Sequence, residues 1–360
     1  MSTNTRCIPL GSLPYENIDS ATRMIAKLFE KTLYLPFFPK IDENDNIYHR
    51  TLDKIPGIFF EKKKIVLKTG SEEYKRDLVK LDKAYNNPNK ENLEEYAITT
   101  VFTEKFFDML AKFKSPNVYI NLLGPFTISQ LLMSSAESQV LADKSYRKLF
   151  IQAVCVKALW MIEKIKEYSP KSVPIIMLEE PLLCRLGELK RTDENVTAEL
   201  VTHLLVRVIE KLKDAGALVG VHCQEKCDWK VPINAGVDII SFDAYNNPNN
   251  LSILPYDIGT FINEGGKINW GIVPTISESI VKSLSVDYVN KRLLATMDGL
   301  IFAGVDRNKV YDSAIVSVQG DLEKLPLIFA EKALMLSTQL AKKLPKVKKH
   351  TEEHVETSVE

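Results

Sequence analysis

Short, unbroken apolar runs recur along the chain, each closing on a glycine, a proline or a polar side chain. They fall at 7–10, 117–123, 173–178, 217–222, 237–242, 268–273 and 311–318, and longer stretches of helical spacing separate them. Strands with one wet face alternate apolar and polar residues, whereas strands covered on both faces read as continuous apolar runs, the habit of parallel sheets. Seven such runs, with one more strand hidden near an irregular stretch, predict an α/β fold built as a single (β/α)8 TIM barrel. The alternative, a doubly wound open sheet, lacks its usual signature, because no glycine-rich phosphate fingerprint follows any run.

The helical spacing predicts a first helix over 21–31 with Asp19 or Ser20 as N-cap. Residues 36–70 break the βα rhythm. Within them Gly57-Ile58-Phe59-Phe60 and Ile65-Val66-Leu67-Lys68 flank the charged Glu61-Lys62-Lys63-Lys64, which reads as an inserted hairpin. Further helices are expected near 72–86, 91–113, 124–168, 196–214 and 323–344. The barrel thus spans 1–344, and the charged 345–360 is expected to be a disordered tail.

In a barrel the chemistry gathers at the C-terminal ends of the strands. Here those ends carry Ser12, Glu179 with Glu180, His222, Asp243, Thr275 and Gln319. Gly11, Gly124, Pro125, Pro181, Pro274 and Gly320 beside them suit sharp turns and close backbone approach to a ligand. Glu179 and Glu180 are one residue apart, so their side chains leave a strand on opposite faces and only one can look into the barrel. An inward carboxylate there suits a substrate ammonium group. The same parity turns His222 and Gln224 inward and Cys223 outward as a packing thiol, while Cys227 lies in the following loop. Imidazole, thiolate and carboxylate are zinc ligands, so His222, Cys227 and Asp243 form a candidate metal set. A neutral histidine hydrogen-bonded at the mouth is the other reading of His222.

Composition narrows the classes. Lys plus Arg and Asp plus Glu number 47 each, a balance that argues against a nucleic-acid partner. No apolar run approaches the roughly 18 residues of a membrane span, and no apolar leader follows the N-terminus. Five cysteines, an odd count, read as reduced thiols rather than a disulfide framework. The expectation is a cytoplasmic small-molecule enzyme.

Several motifs, in order, resemble the catalytic half of cobalamin-independent methionine synthase, in the superfamily that also holds uroporphyrinogen decarboxylase. They are Gly11-Ser12-Leu13-Pro14, Leu35-Pro36-Phe37-Phe38-Pro39, Gly124-Pro125-Phe126-Thr127, Glu179-Glu180-Pro181, His222-Cys223 with Asp228-Trp229, Ser241-Phe242-Asp243-Ala244-Tyr245, Trp270-Gly271-Ile272-Val273-Pro274 and Gln319-Gly320. The arginine-rich opening of the decarboxylases is not among them. The resemblance implies a zinc ion that binds a substrate thiol such as homocysteine as thiolate, for attack on a methyl group carried by a folate or a corrinoid protein. It implies catalytic roles for His222 and Asp243, and substrate binding by Gly11, Ser12, Glu179 and Gln319. This chain departs from the pattern where the family places two cysteine ligands: Gln224 and Gln319 stand there. Amide oxygens are poor substitutes for thiolates, so the expectation is a zinc site rescued by Cys227 or a site without metal. A metal-independent decarboxylase-like enzyme and a catalytically silent barrel that docks a corrinoid or folate protein are the competing readings.

Overall fold

The computed structural model describes residues 5–62, 64–133 and 141–345. Among the described residues nine strands form: β1 (Thr32–Tyr34), β2 (Ile58–Glu61), β3 (Lys64–Leu67), β4 (Asn117–Leu123), β5 (Val173–Glu179), β6 (Leu218–His222), β7 (Ile239–Phe242), β8 (Lys267–Val273) and β9 (Ala314–Val318). Seven of them make one sheet in the order β1-β4-β5-β6-β7-β8-β9, and every neighbouring pair is parallel. Helices fill the connections between successive strands from β4 onward, and β4, β6, β7 and β9 are buried at every position. This is the outcome that continuous apolar runs predict. The hidden strand is β1, three residues placed just before the insertion and too short to stand out as a run.

The expected strand at 7–10 does not form as one. Cys7 makes an isolated parallel bridge to Val316 of β9, with Ile8 N donating to the Val316 carbonyl at 3.2 Å and Val316 N donating to the Arg6 carbonyl at 2.9 Å. Pro9 has no N–H to extend the ladder. On the other side, the Thr5 hydroxyl meets that of Thr32 in β1. The N-terminal segment therefore touches both edge strands of the sheet.

Other boundaries shift for local reasons. The first helix is Ile18–Leu28, because Asn17 rather than Asp19 or Ser20 caps it by accepting from Ser20 N. The stretch expected as one helix over 91–113 divides into Lys90–Glu94 and Thr103–Phe113. The run at 311–318 enters β9 only at Ala314, since Arg307–Ser313 is helical. The hairpin forms as β2 and β3, paired antiparallel.

The insertion also carries the helix Ile47–Leu52, which fastens it to β4 of the sheet. From this helix the buried Arg50 donates to the carbonyls of Leu35 at 2.8 Å and Pro36 at 2.7 Å and to Asn121 Oδ1 at 2.8 Å, with its guanidinium 3.5 Å from the Phe37 ring centre. Charge-assisted bonds of this kind are roughly twice as strong as neutral ones. Among the described residues no helix is long and apolar enough to cross a membrane. Residues 346–360 of the expected tail lie outside the described residues.

Candidate functional site

Glu179 and His222 are register partners at the ends of β5 and β6, so two inward side chains stand level at the rim of the sheet. Period-2 parity then sorts the neighbours. Glu179 and His222 face a cavity of ≈380 Å³, which Gln224 also lines. Glu180, one residue on, faces the other way. Its carboxylate accepts from Phe126 N at 3.0 Å, Thr127 N at 2.7 Å and the Thr127 hydroxyl at 2.6 Å, all at the start of the helix Pro125–Met133. An added Cβ on Gly124 would lie 2.1 Å from Glu180 Oε1, so the close approach depends on glycine. Burial nevertheless pushes the Glu180 carboxyl up to about 7, against the pull of these donors.

The cavity wall continues through the N-terminal turn and the exit from β9. Gly11 adopts φ +86°, and a Cβ there would lie 2.9 Å from Asp321 Cα and 3.0 Å from the Gly320 carbonyl oxygen. Ser12 donates through its backbone N–H to Asp321 Oδ1 at 3.0 Å, and through its hydroxyl to Asp321 Oδ1 at 3.1 Å and Glu323 Oε2 at 3.2 Å. The hydroxyl expected to touch substrate thus positions two carboxylates that line the cavity. Asp45, Asn46 and Tyr48 of the insertion complete the wall.

His222 Nδ1 lies 2.8 Å from Ser241 Oγ. Ser241 Oγ also accepts from Asn269 Nδ2 at 2.8 Å, and Asn269 Nδ2 donates onward to Ser317 Oγ at 2.9 Å. With the amide donating to Ser241, the serine hydroxyl proton points at His222 Nδ1. This assigns the ring proton to Nε2, on the cavity side. Burial pushes the His222 imidazolium down to about 4, with Asp321 opposing, and pushes the Glu179 carboxyl up to about 8, reinforced by the negative field of Asp321 and opposed by a hydrogen bond from Asn121. The two groups approach to 3.9 Å, Nε2 to Oε2. That contact would be an ion pair only if both were charged. Burial favours the neutral form of each, so near pH 7 a neutral imidazole faces a protonated carboxyl.

No family model matches the chain, and no curated protein matches it. Among solved structures, a Bacteroidetes-affiliated GH5 cellulase aligns over 71% of this chain and 79% of its own at 11% identity, with a TM-score of 0.40. The tandem GH20 catalytic modules of a pneumococcal exo-β-D-N-acetylglucosaminidase align over 94% and 84% at 9% identity, TM-score 0.46. A Flavobacterium johnsoniae chitobiase aligns over 94% and 52% at 10% identity, TM-score 0.33. Likeness of this degree carries no argument about activity.

Of the residues singled out in the sequence, Gly11, Ser12, Glu179 and His222 line one cavity, whereas Asp243, Gln319 and Cys227 do not. Asp243 is 2% exposed, and its oxygens accept from Asn246 N at 2.9 Å, Asn246 Nδ2 at 2.7 Å and Gln319 Nε2 at 2.8 Å. Gln319 Oε1 in turn accepts from Thr275 N at 3.3 Å. Asp243 and Gln319 therefore lock the loops after β7, β8 and β9 together instead of facing a ligand. Cys227 is buried against the thiol of Cys223, which raises its own pKa well above the usual thiol value together with burial, the larger cause. A metal ligand must be thiolate, and this environment holds the thiol protonated. Among the described residues no three His, Cys, Asp or Glu side chains are grouped to hold a metal ion. The donor set His222, Cys227 and Asp243 does not fit zinc. The sequence singled out none of Asn121, Asp321, Glu323 and Ser241 for a role, although Asp321 directly follows Gln319-Gly320 and Asn121 interrupts an apolar run at the inward parity.

Proposed function

We propose that the sheet closes into a single (β/α)8 barrel whose mouth methylates a small, amine-bearing thiol without zinc, with Glu179 as the base. Closure is supported by the N-terminal segment, which bridges β9 at Cys7 and meets β1 at Thr5. The one observation that carries the chemistry is the Glu179–His222 pair, set at 3.9 Å inside a cavity that also presents Asp321 and Glu323. The Ser12-held carboxylates offer a seat for an ammonium group. His222 Nε2–H offers a neutral donor to a substrate carboxylate, so an amino-acid thiol such as homocysteine is the substrate class.

Proton matching assigns the base. An ordinary thiol titrates near about 8.5, close to the value of about 8 for Glu179. Handing the same proton to His222, at about 4, would cost roughly 6 kcal/mol. The ionised fraction of Glu179, about a tenth at pH 7 and larger once a substrate ammonium is seated beside it, takes the thiol proton as sulfur attacks the methyl group, and the bonding pair leaves with the folate nitrogen or the corrinoid cobalt. The carboxyl does by proton transfer what the resemblance assigns to a metal. A decarboxylase-like reaction is the second reading, favoured by the same carboxyl being protonated near pH 7 and so able to donate.

Calorimetric binding of homocysteine and of its analogue lacking the amine tests the seat, with the desamino compound expected to bind at least roughly tenfold more weakly, the worth of one charge-assisted contact. Equal binding would remove the ammonium seat. Methyl transfer from methyltetrahydrofolate or methylcobalamin, lost in Glu179→Gln and retained in a chelator, is the activity expected. No turnover alongside tight capture of a corrinoid protein would favour a silent barrel instead.

A further inference from the structure

A lysine sits where lysines are seldom found. Lys157 lies midway along the helix Lys144–Tyr168, among Val154, Val156, Ala158 and Met161, and is 1% exposed. Among the described residues its ammonium nitrogen makes no hydrogen bond or ion pair, and the charges acting on it are Asp53 and Lys54. Buried amines ordinarily carry a partner, because an unpaired one costs several kcal/mol.

Lys157 borders a second cavity, of ≈220 Å³, separated from the first by Asp45 and Asn46, which line both. Asn44, Asp53 and Thr99 are exposed at its rim, so the small pocket that the buried Lys157 lines reaches solvent. The lining sets the charge of what can enter. Asp42, Asp45 and Asp53 face the space. Arg50 is already committed to two backbone carbonyls and Asn121, and His49 is stacked on Phe60 at 3.8 Å with its imidazolium disfavoured by burial. Asp42, Asp45 and Asp53 outnumber the Arg50 guanidinium, whose Nε has no partner among the described residues, so the lining disfavours an anion. Together with Asn44, Thr99 and Thr100 they suit a neutral molecule bearing hydroxyl groups.

We infer that this cavity is a second ligand site, in which Lys157 forms an imine with a small, neutral hydroxyaldehyde. The amine lone pair adds to the aldehyde carbon as the carbonyl π electrons move to oxygen, giving a carbinolamine once a proton has passed from nitrogen to that oxygen. The remaining nitrogen-bound hydrogen then leaves with the hydroxyl as water, and the C=N bond forms without any oxidant or reductant. Burial supports the step by pushing the Lys157 ammonium down to about 7, Asp53 opposing and Lys54 assisting. Roughly half of the amine is then unprotonated at pH 7, about a thousandfold more than for an ordinary lysine.

The full chain treated at pH 7 with glycolaldehyde and cyanoborohydride, then digested and mapped by mass spectrometry, reads the site directly. The expected result is reduced adduct at Lys157 forming roughly tenfold or more faster than at the exposed Lys148 and Lys166 of the same helix, in keeping with its larger free-amine fraction. Anionic glyoxylate should label Lys157 more slowly than glycolaldehyde does. Lys157→Arg should abolish that adduct with its circular dichroism unchanged, and the wild-type map decides alone if the variant does not fold. Labelling confined to exposed lysines would overturn the site. Equal labelling by glyoxylate would overturn the ligand class.

Discussion

Replacing Glu179 with glutamine should stabilise the protein at neutral and alkaline pH while removing its proposed base. The carboxyl is raised from 4.5 to about 8, mainly by burial. The folded state thus keeps a proton that the unfolded chain has released across the window between those values. The associated stability is fully present below pH 4.5 and is lost as pH rises through 8. A difference of this size corresponds to about 5 kcal/mol once the window is crossed, and to about 3 kcal/mol at pH 7. Glutamine stays neutral throughout, has nearly the same shape, and still offers an oxygen to Asn121. The unfolding free energy of Glu179→Gln relative to wild type should therefore be near zero at pH 4.5 and grow to several kcal/mol at pH 9. His222 has its own linkage, present above pH 6.5 and lost as pH falls through 4, but it is common to both proteins and cancels from the difference. Urea unfolding followed by fluorescence of the buried Trp229 and Trp270 provides the assay. A stability difference that is the same at pH 4.5, 7 and 9 would refute the argument that burial keeps Glu179 protonated.

Three further substitutions and one treatment probe the surrounding geometry. Gly124→Ala drives a methyl group into the Glu180 carboxylate and should cost about 2–4 kcal/mol in urea unfolding; an unchanged midpoint would contradict the close approach. Ser241→Ala removes the hydroxyl that fixes the His222 tautomer and should cost about 1–3 kcal/mol. Nitrogen-15 NMR of the wild-type ring should find the proton on Nε2, and finding it on Nδ1 would reverse the assigned network. Cys227→Ser should leave homocysteine binding within about twofold of wild type, a change of under roughly 0.5 kcal/mol, since the thiol packs on Cys223 away from the cavity. Prolonged chelation should leave methyl transfer intact, and loss restored by added zinc would return the metal to the mechanism.

The strand framework was legible because buried parallel strands need continuous apolar runs, and six of the seven sheet strands announce themselves that way. β1 did not, being only Thr32–Tyr34, with its three residues held by pairing to β4 rather than by a pattern of their own. Strand parity gave part of the rest: it put Glu179 and Glu180 on opposite faces, without saying which looks inward, and set Cys223 opposite to His222. It could not place residues beyond the strand ends. Asp243 and Gln319 stand where a ligand site was expected, yet they bond to each other across the loops, a pairing of residues 76 positions apart in the chain. The insertion was visible as a break in rhythm, but not that Arg50 would anchor it beside the mouth or that Asp45 would wall two cavities. Lys157 was invisible, since one lysine in a long helix reads as a solvated side chain unless the packing on every face is known.

The raised pKa of Glu179 is what the proposed chemistry rests on, and carbon-13 NMR of glutamate-labelled protein measures it. Subtracting the Glu179→Gln spectrum isolates the carboxyl resonance for titration from pH 4 to 10. A midpoint near 8, which falls when homocysteine binds and the site gains an ammonium group, is the predicted outcome. A midpoint near 4.5, unmoved by the ligand, would remove the match to the thiol proton by which Glu179 is assigned as base.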